Sequence, residues 1–191
     1  PDVPKEMIVV VGGIEFKRGI EGNCHLQHMT LRQSKGNGVW GESSFTMEDV
    51  LVEQCSGSGV WAEDTGVVGR CTNVEVRQCG WSGVVASSGA SITLIGAKTT
   101  VHHNCTIGRS YEGKSIDYGL QVYNASSSTI QLVAPLTKEQ VAIDNGGGGN
   151  WGARMGGDIN QIKTVDAPGD VPGIASAAAT AAPVGETKSN H

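Results

Sequence analysis

The sequence predicts an all-β fold, a solenoid in which each coil of 21–25 residues forms one rung of a parallel β-helix. Three observations carry this. A phrase recurs: Leu31–Trp40 (LRQSKGNGVW) returns as Val52–Trp61 (VEQCSGSGVW) and as Val76–Val85 (VRQCGWSGVV), at offsets of 21 and 24 residues. Self-similarity at that period marks repeats that bury their apolar faces only against their neighbours. Within each copy apolar residues sit two apart, as Met29 and Leu31, Val50 and Val52, Val74 and Val76. Period two is the signature of a strand. Finally, glycine is abundant, at 28 of 191 residues, without a collagen period, so the glycines serve turns.

The elements follow in order. Ile8 to Val11 and Ile14 to Phe16 supply an opening coil. In the next coils a strand ends in the phrase, a Gly-containing turn follows, and a second short strand covers Gly38–Gly41, Gly59–Ala62 and Gly83–Ala86. Val39, Val60 and Val84 face inward as one ladder, and Leu31, Val52 and Val76 as another. Gly41, Ala62 and Ala86 also face inward, where a narrow interior leaves little room. A third strand is placed at Phe45–Met47, Val67–Gly69 and Ile92–Ile95. Thr99–Asn104 then aligns with Val74–Cys79, and Gly119–Val122 with Gly83–Ala86. The excess between them, about 12 residues around Thr106 to Asp117, maps to a loop on one face. Thr129–Val133 gives the next strand, and Asn145–Gly152 is expected to break regular structure. The β-helix domain is therefore 1–165, with a long loop near 106–117. Residues 166–191, including the Ala-rich 175–182, read as a disordered Pro/Ala/Gly tail.

Composition excludes several classes. A net charge of -5 without a basic cluster argues against nucleic acid. No apolar run approaches the roughly 18 residues of a membrane span. Met7 to Val11 follows Lys5-Glu6 and reads as a first strand, not a signal peptide. The chain opens on Pro1, which leads us to expect an upstream segment. Nothing fixes its compartment. Five cysteines make an odd count, and Cys55 and Cys79 hold the same place in consecutive copies. A ladder of reduced, buried thiols is expected. A disulfide stays open, because a strand spacing of about 4.8 Å falls inside the usual Cα range of about 4.4–6.8 Å. No CxxC or CxxH pair suggests zinc. Gly146–Gly149 lacks the Gly-Lys-Ser/Thr of a phosphate loop, so no cofactor is expected.

The most pointed constellation is Trp40, Glu42, Trp61 and Glu63. Gly41 and Ala62 face in, so these four face out, one copy lying over the other. Outward indoles suit the apolar faces of sugar rings, and carboxylates beside them can accept from hydroxyls. An alternative is an indole stack that shields the strand backbone. Arg32, Glu53, Arg77 and His102 form a second outward column of alternating sign, read as structural. His102 and His103 are expected to point to opposite sides of their strand, so they are not assigned a metal.

The stretches Val52–Ala62 and Val76–Ala86 share Val-x-x-Cys-x-x-Ser-Gly-Val-x-Ala. They resemble the repeats of right-handed parallel β-helix proteins of the pectate-lyase-like superfamily, over roughly Ile14 to Val133. The resemblance implies a single-stranded, right-handed coil and a leaning toward carbohydrate. That superfamily includes lyases, hydrolases, esterases and epimerases alongside repeat proteins without established catalysis. The Asn-Thr-Asp strand, Asp-Asp pair and Gly-His-Gly of a polygalacturonase are missing, as is the Asp-Pro-His-Asp of an alginate epimerase. Asp64 and Asp117 stand apart in register, which leaves no lyase-like calcium cluster. No catalytic residue is therefore assigned. The expectation is a non-catalytic scaffold that binds a polysaccharide or protein partner on one lateral face. A divergent lyase or epimerase, or a structural module of a longer protein, are the alternatives.

Overall fold

Strands of successive repeats pair at equivalent positions, always in parallel. The computed structural model describes residues 8–20 and 24–167. Within them Ile14–Phe16, Val39–Gly41, Val60–Glu63, Val84–Ser87, Leu120–Tyr123 and Trp151–Arg154 form a six-stranded sheet in chain order. A second sheet has ten strands. Its nine-residue strand Phe45–Glu53 forks: Phe45–Glu48 pairs with Gly69–Thr72, and Leu51–Glu53 with Glu75–Arg77. One branch continues through Ser91–Ile95, Thr129–Val133 and Ile162–Val165, the other through Thr100–His102 and Ala142–Ile143. The molecule is thus all-β, with parallel sheets.

The corners explain the repeat. Gln33, Gln54, Gln78, His103 and Asp144, one per coil, all have φ between 51° and 56°. His28, Asp49 and Asn73 are left-handed at the next corner, with φ of 49° to 52°, and Asp64, Ser88, Asn124 and Met155 at the third, with φ of 51° to 89°. Left-handed single residues turn a strand sharply, and Asn, Asp and short polar side chains tolerate that conformation. Gln54 also bridges the corners, accepting from Arg32 Nη2 at 3.3 Å and donating to Gln78 Oε1 at 3.3 Å.

Both inward ladders take the expected register. Val39, Val60, Val84 and Leu120 pair in sequence and are fully buried. So do Leu31, Val52, Val76 and Val101. Gly41 and Gly69 leave space for one ring: a Cβ on either would stand 2.4 Å or 2.7 Å from Phe45 atoms. Phe45 in turn stacks on Phe16, centroids 5.7 Å apart.

Three expectations are corrected. Phe45–Met47 and Val50–Val52 are one strand, bent at Asp49 (φ 49°) rather than interrupted. The strand placed at Val67–Gly69 runs Val68–Thr72, with Gly69 and Cys71 facing in; such small inward residues hide it from an apolar count. Asn145–Asn150 breaks regular structure as expected, but Trp151 and Gly152 already belong to the strand Trp151–Arg154, where it resumes. Asn104 and Asn145 take the place of Cys79 on the last coils. Asn104 accepts from Cys79 N–H at 3.1 Å and donates to the Val76 carbonyl at 3.0 Å, and Asn145 repeats this one coil on, toward Asn104 and Val101. Lys138–Val141, a one-turn helix held by the Thr137/Gln140 capping box, fills the corner beyond Thr129–Val133. The tail expected at 166–191 lies, from 168 on, outside the described residues.

All five cysteines are free and buried. Burial pushes the Cys71 thiol up to about 12. The Cys55 and Cys79 thiols donate to the Glu53 and Arg77 carbonyls, each at 3.5 Å, and the interaction between the two thiols holds Cys55 below its usual range and pushes Cys79 above it.

Candidate functional site

The phrase itself builds the site, through its irregular members. Trp81 stands where the two earlier copies carry Gly36 and Gly57. Its N–H still donates to the Gly57 carbonyl at 3.0 Å, so the turn is kept while an indole is added outside it. The inserted loop lies beside it. Ser110–Tyr111 and Lys114–Ser115 pair as a short antiparallel hairpin. Arg109 and Asp117 close its base with a two-pronged ion pair, Nε to Oδ2 at 2.8 Å and Nη2 to Oδ1 at 2.6 Å. The Asp117 side chain is only 2% exposed. Ser82 Oγ accepts from Tyr118 N–H at 3.1 Å and shares its one proton between Asp117 Oδ1, at 3.3 Å, and Gln121 Oε1, so it ties the loop to the phrase. The Arg109 guanidinium lies over the Trp81 ring, its Cζ 3.7 Å from the centroid, a cation–π contact that stiffens the wall.

Between this wall and the six-stranded sheet is a cavity of about 490 Å³. Trp61, Trp81, Tyr111 and Tyr123 line it, with Arg109, Asp117, Gln121 and Arg154 as its polar members. Trp61 meets Tyr123 edge-on, centroids 5.9 Å apart. Strand register assembles the sheet side. Trp61 pairs with Val85 and Val85 with Gln121, while Ser87, Tyr123 and Arg154 follow one another in the adjacent column. Val85 faces this lateral side by alternation, yet it is fully buried beneath the site. Gln121 is spent internally: Nε2 donates to the Ile116 carbonyl at 3.1 Å, and Oε1 accepts a short bond from Ser82 Oγ. Trp61 Nε1 is buried with no partner among the described residues.

Of the four residues proposed from the sequence, only Trp61 reaches this cavity. Trp40 pairs in register with Trp61 and is 38% exposed, further along the same lateral face. Glu42 lies past its strand, its N–H donating to the Phe16 carbonyl at 2.8 Å, and it lines a separate hollow with Arg18 and Asp64. Glu63 is half-buried, in register with Ser87. Ring partnership also differs from the indole stack considered above, since Trp61 turns to Tyr123.

The charged column stands as read. Glu53, with 8% of its side chain exposed, sits between Arg32 Nε at 3.5 Å and Arg77 Nη2 at 2.8 Å. Hydrogen bonding to Glu53 pushes the Arg77 guanidinium above its usual range. The histidines require a correction. His102 Nδ1 and His103 Nδ1 lie 2.7 Å apart, not on opposite sides, because the left-handed corner at His103 (φ 54°) undoes strand alternation. His102 Nε2 reaches Glu75 Oε1 at 3.2 Å, which adds the pair to the structural column.

Sequence reasoning missed Trp81, Tyr123 and Arg154. Trp81 was visible as a break in the repeat, an indole in a glycine position. Tyr123 and Arg154 needed the register of strands that the sequence did not delimit. Among the described residues no group of three or more His, Cys, Asp or Glu converges to hold a metal ion, and no helix is long and apolar enough to cross a membrane. Comparison with family models, with curated proteins and with solved structures found no match for this chain.

Proposed function

We propose that the chain is a right-handed parallel β-helix whose lateral face binds carbohydrate without transforming it, at the cavity between Trp61 and the 106–117 loop. Handedness follows from strand chemistry: parallel crossover connections are right-handed in about 98% of cases. The shared Val-x-x-Cys-x-x-Ser-Gly-Val-x-Ala repeat, similar to that of the pectate-lyase-like superfamily, supports the same coil and a carbohydrate ligand. The observation that carries the binding reading is the convergence of four aromatic side chains, from three coils and the loop, on one concave cavity. Ring faces suit the C–H faces of sugars, and a concave site with few polar groups suits a small ring unit better than a flat protein surface. Trp40 extends the aromatic track by one strand, about 4.8 Å, which favours a chain of sugars over a single one.

Binding without turnover is supported by the lining itself. Its one carboxylate among the described residues, Asp117, is held by Arg109 and Ser82, and no imidazole lines the cavity. Neither a carboxylate nor an imidazole, the groups that most often serve as general acid or base, is left free there to take a proton from a substrate. The test is a tryptophan-fluorescence titration with neutral and acidic oligosaccharides. A Trp61→Ala variant with wild-type circular dichroism should bind at least about tenfold more weakly, as expected for a central aromatic anchor. Unchanged affinity in that variant would remove the cavity from the account.

A further inference from the structure

We propose that the sugar seated in this cavity is anionic, with its carboxylate or sulfate-ester oxygens on the Arg154 guanidinium. This rests on the sugar-binding reading above and gives that site its ligand class. The argument is an accounting of the polar lining. Arg109 is neutralised by the two-pronged contact with Asp117 and covered on one face by Trp81. Gln121 has both ends engaged, by Ser82 and by the Ile116 carbonyl. Arg154 is different. It is half-buried, lines the cavity, and has no ion-pair or side-chain hydrogen-bond partner among the described residues.

Its surroundings do not cancel that charge. Arg154 stands between the aromatic cavity and a shallower hollow lined by Tyr111, Glu112, Lys114, Ser115, Tyr118 and Ala153. Glu112 and Lys114 there offset each other, and both are exposed. Arg109 and Asp117 likewise sum to zero. The site therefore carries one net positive charge in a chain whose formal net charge is -5. A guanidinium partly withdrawn from water and left unpaired gains most from a planar oxyanion, which it can grip with two parallel N–H donors. Strand register fixes its place: Arg154 pairs with Tyr123, whose ring meets Trp61, so the cation lies at the edge of the aromatic floor. A sugar ring on that floor would present an equatorial acidic substituent to it.

The experiment is isothermal titration of the full chain with three probes of equal length: an oligouronate, a sulfated oligosaccharide and a neutral cello-oligosaccharide. Wild type should bind at least one acidic probe about tenfold or more tightly than the neutral one, the size expected of a charge-assisted hydrogen bond. Which acidic probe gains decides between carboxylate and sulfate. Arg154→Met should bring that probe down to the level of the neutral one. Arg154→Gln serves as a second variant, and the urea midpoints of both show that the fold is kept. Equal affinity for acidic and neutral probes in wild type, or an acidic advantage that survives both variants, overturns the proposal. If neutral binding remains and still depends on Trp61, the sugar-binding reading survives that outcome. Absence of binding by all three probes contradicts both.

Discussion

A Cβ on Gly69 would stand 2.7 Å from the tip of the Phe45 ring, while a Cβ on Gly36 would meet nothing within 4 Å. The two glycines look alike in the sequence and serve different ends. Gly69 makes room in the core, where overpacking costs about 1–3 kcal/mol. Gly36 lies in an open turn without positive φ, where alanine is neutral or stabilises by up to about 1 kcal/mol through the unfolded chain. Urea unfolding should therefore show a lowered midpoint for Gly69→Ala and an unchanged or raised one for Gly36→Ala. The reverse order would mean that Phe45 does not fill the space beneath Gly69. The same residue scale shows why the inward ladders were legible and the site was not. Val39, Val60 and Val84 announce themselves by period and identity. The cavity depends on Arg154, whose environment is set by a strand four coils away from the first copy of the phrase.

Among the elements, the 106–117 loop matters most to function. Its extent was legible because a repeat sets an expected length and the fifth coil exceeds it. Its conformation was not, because the Arg109–Asp117 clamp joins residues whose roles no periodicity marks. Asp117 is the buried partner, at 2% side-chain exposure, and Arg109 is one-third exposed. Arg109→Ala leaves the carboxylate with Ser82 alone, at a cost of about 3 kcal/mol or more for a buried charge that loses its partner. It also removes the cation that covers Trp81. Hydrogen exchange should rise across residues 106–117 in Arg109→Ala and stay at wild-type rates in Val60–Glu63, which pairs within the sheet. Uniform protection in the variant would show that the loop does not depend on its clamp.

At the scale of the whole molecule, two requirements meet. Parallel pairing gives successive repeats the same backbone, so inward positions are constrained to small or apolar residues in register. Outward positions are free to differ from coil to coil, and function collects there. Trp61 repeats Trp40, whereas Trp81, Tyr123 and Arg154 depart from the pattern of their column or phrase, and the parallel register brings all four to one side. All-β class and coil period could be read from the chain because they repeat. Of the ligand cavity only Trp61 could, because the rest is made of positions that do not repeat. A crystal structure of the chain with an acidic oligosaccharide tests this most directly. The account predicts a sugar ring against Trp61 and Tyr123, with its anionic group on Arg154. A ring bound instead beside Trp40 and Glu42, with the Trp61–Arg154 cavity empty, would contradict it.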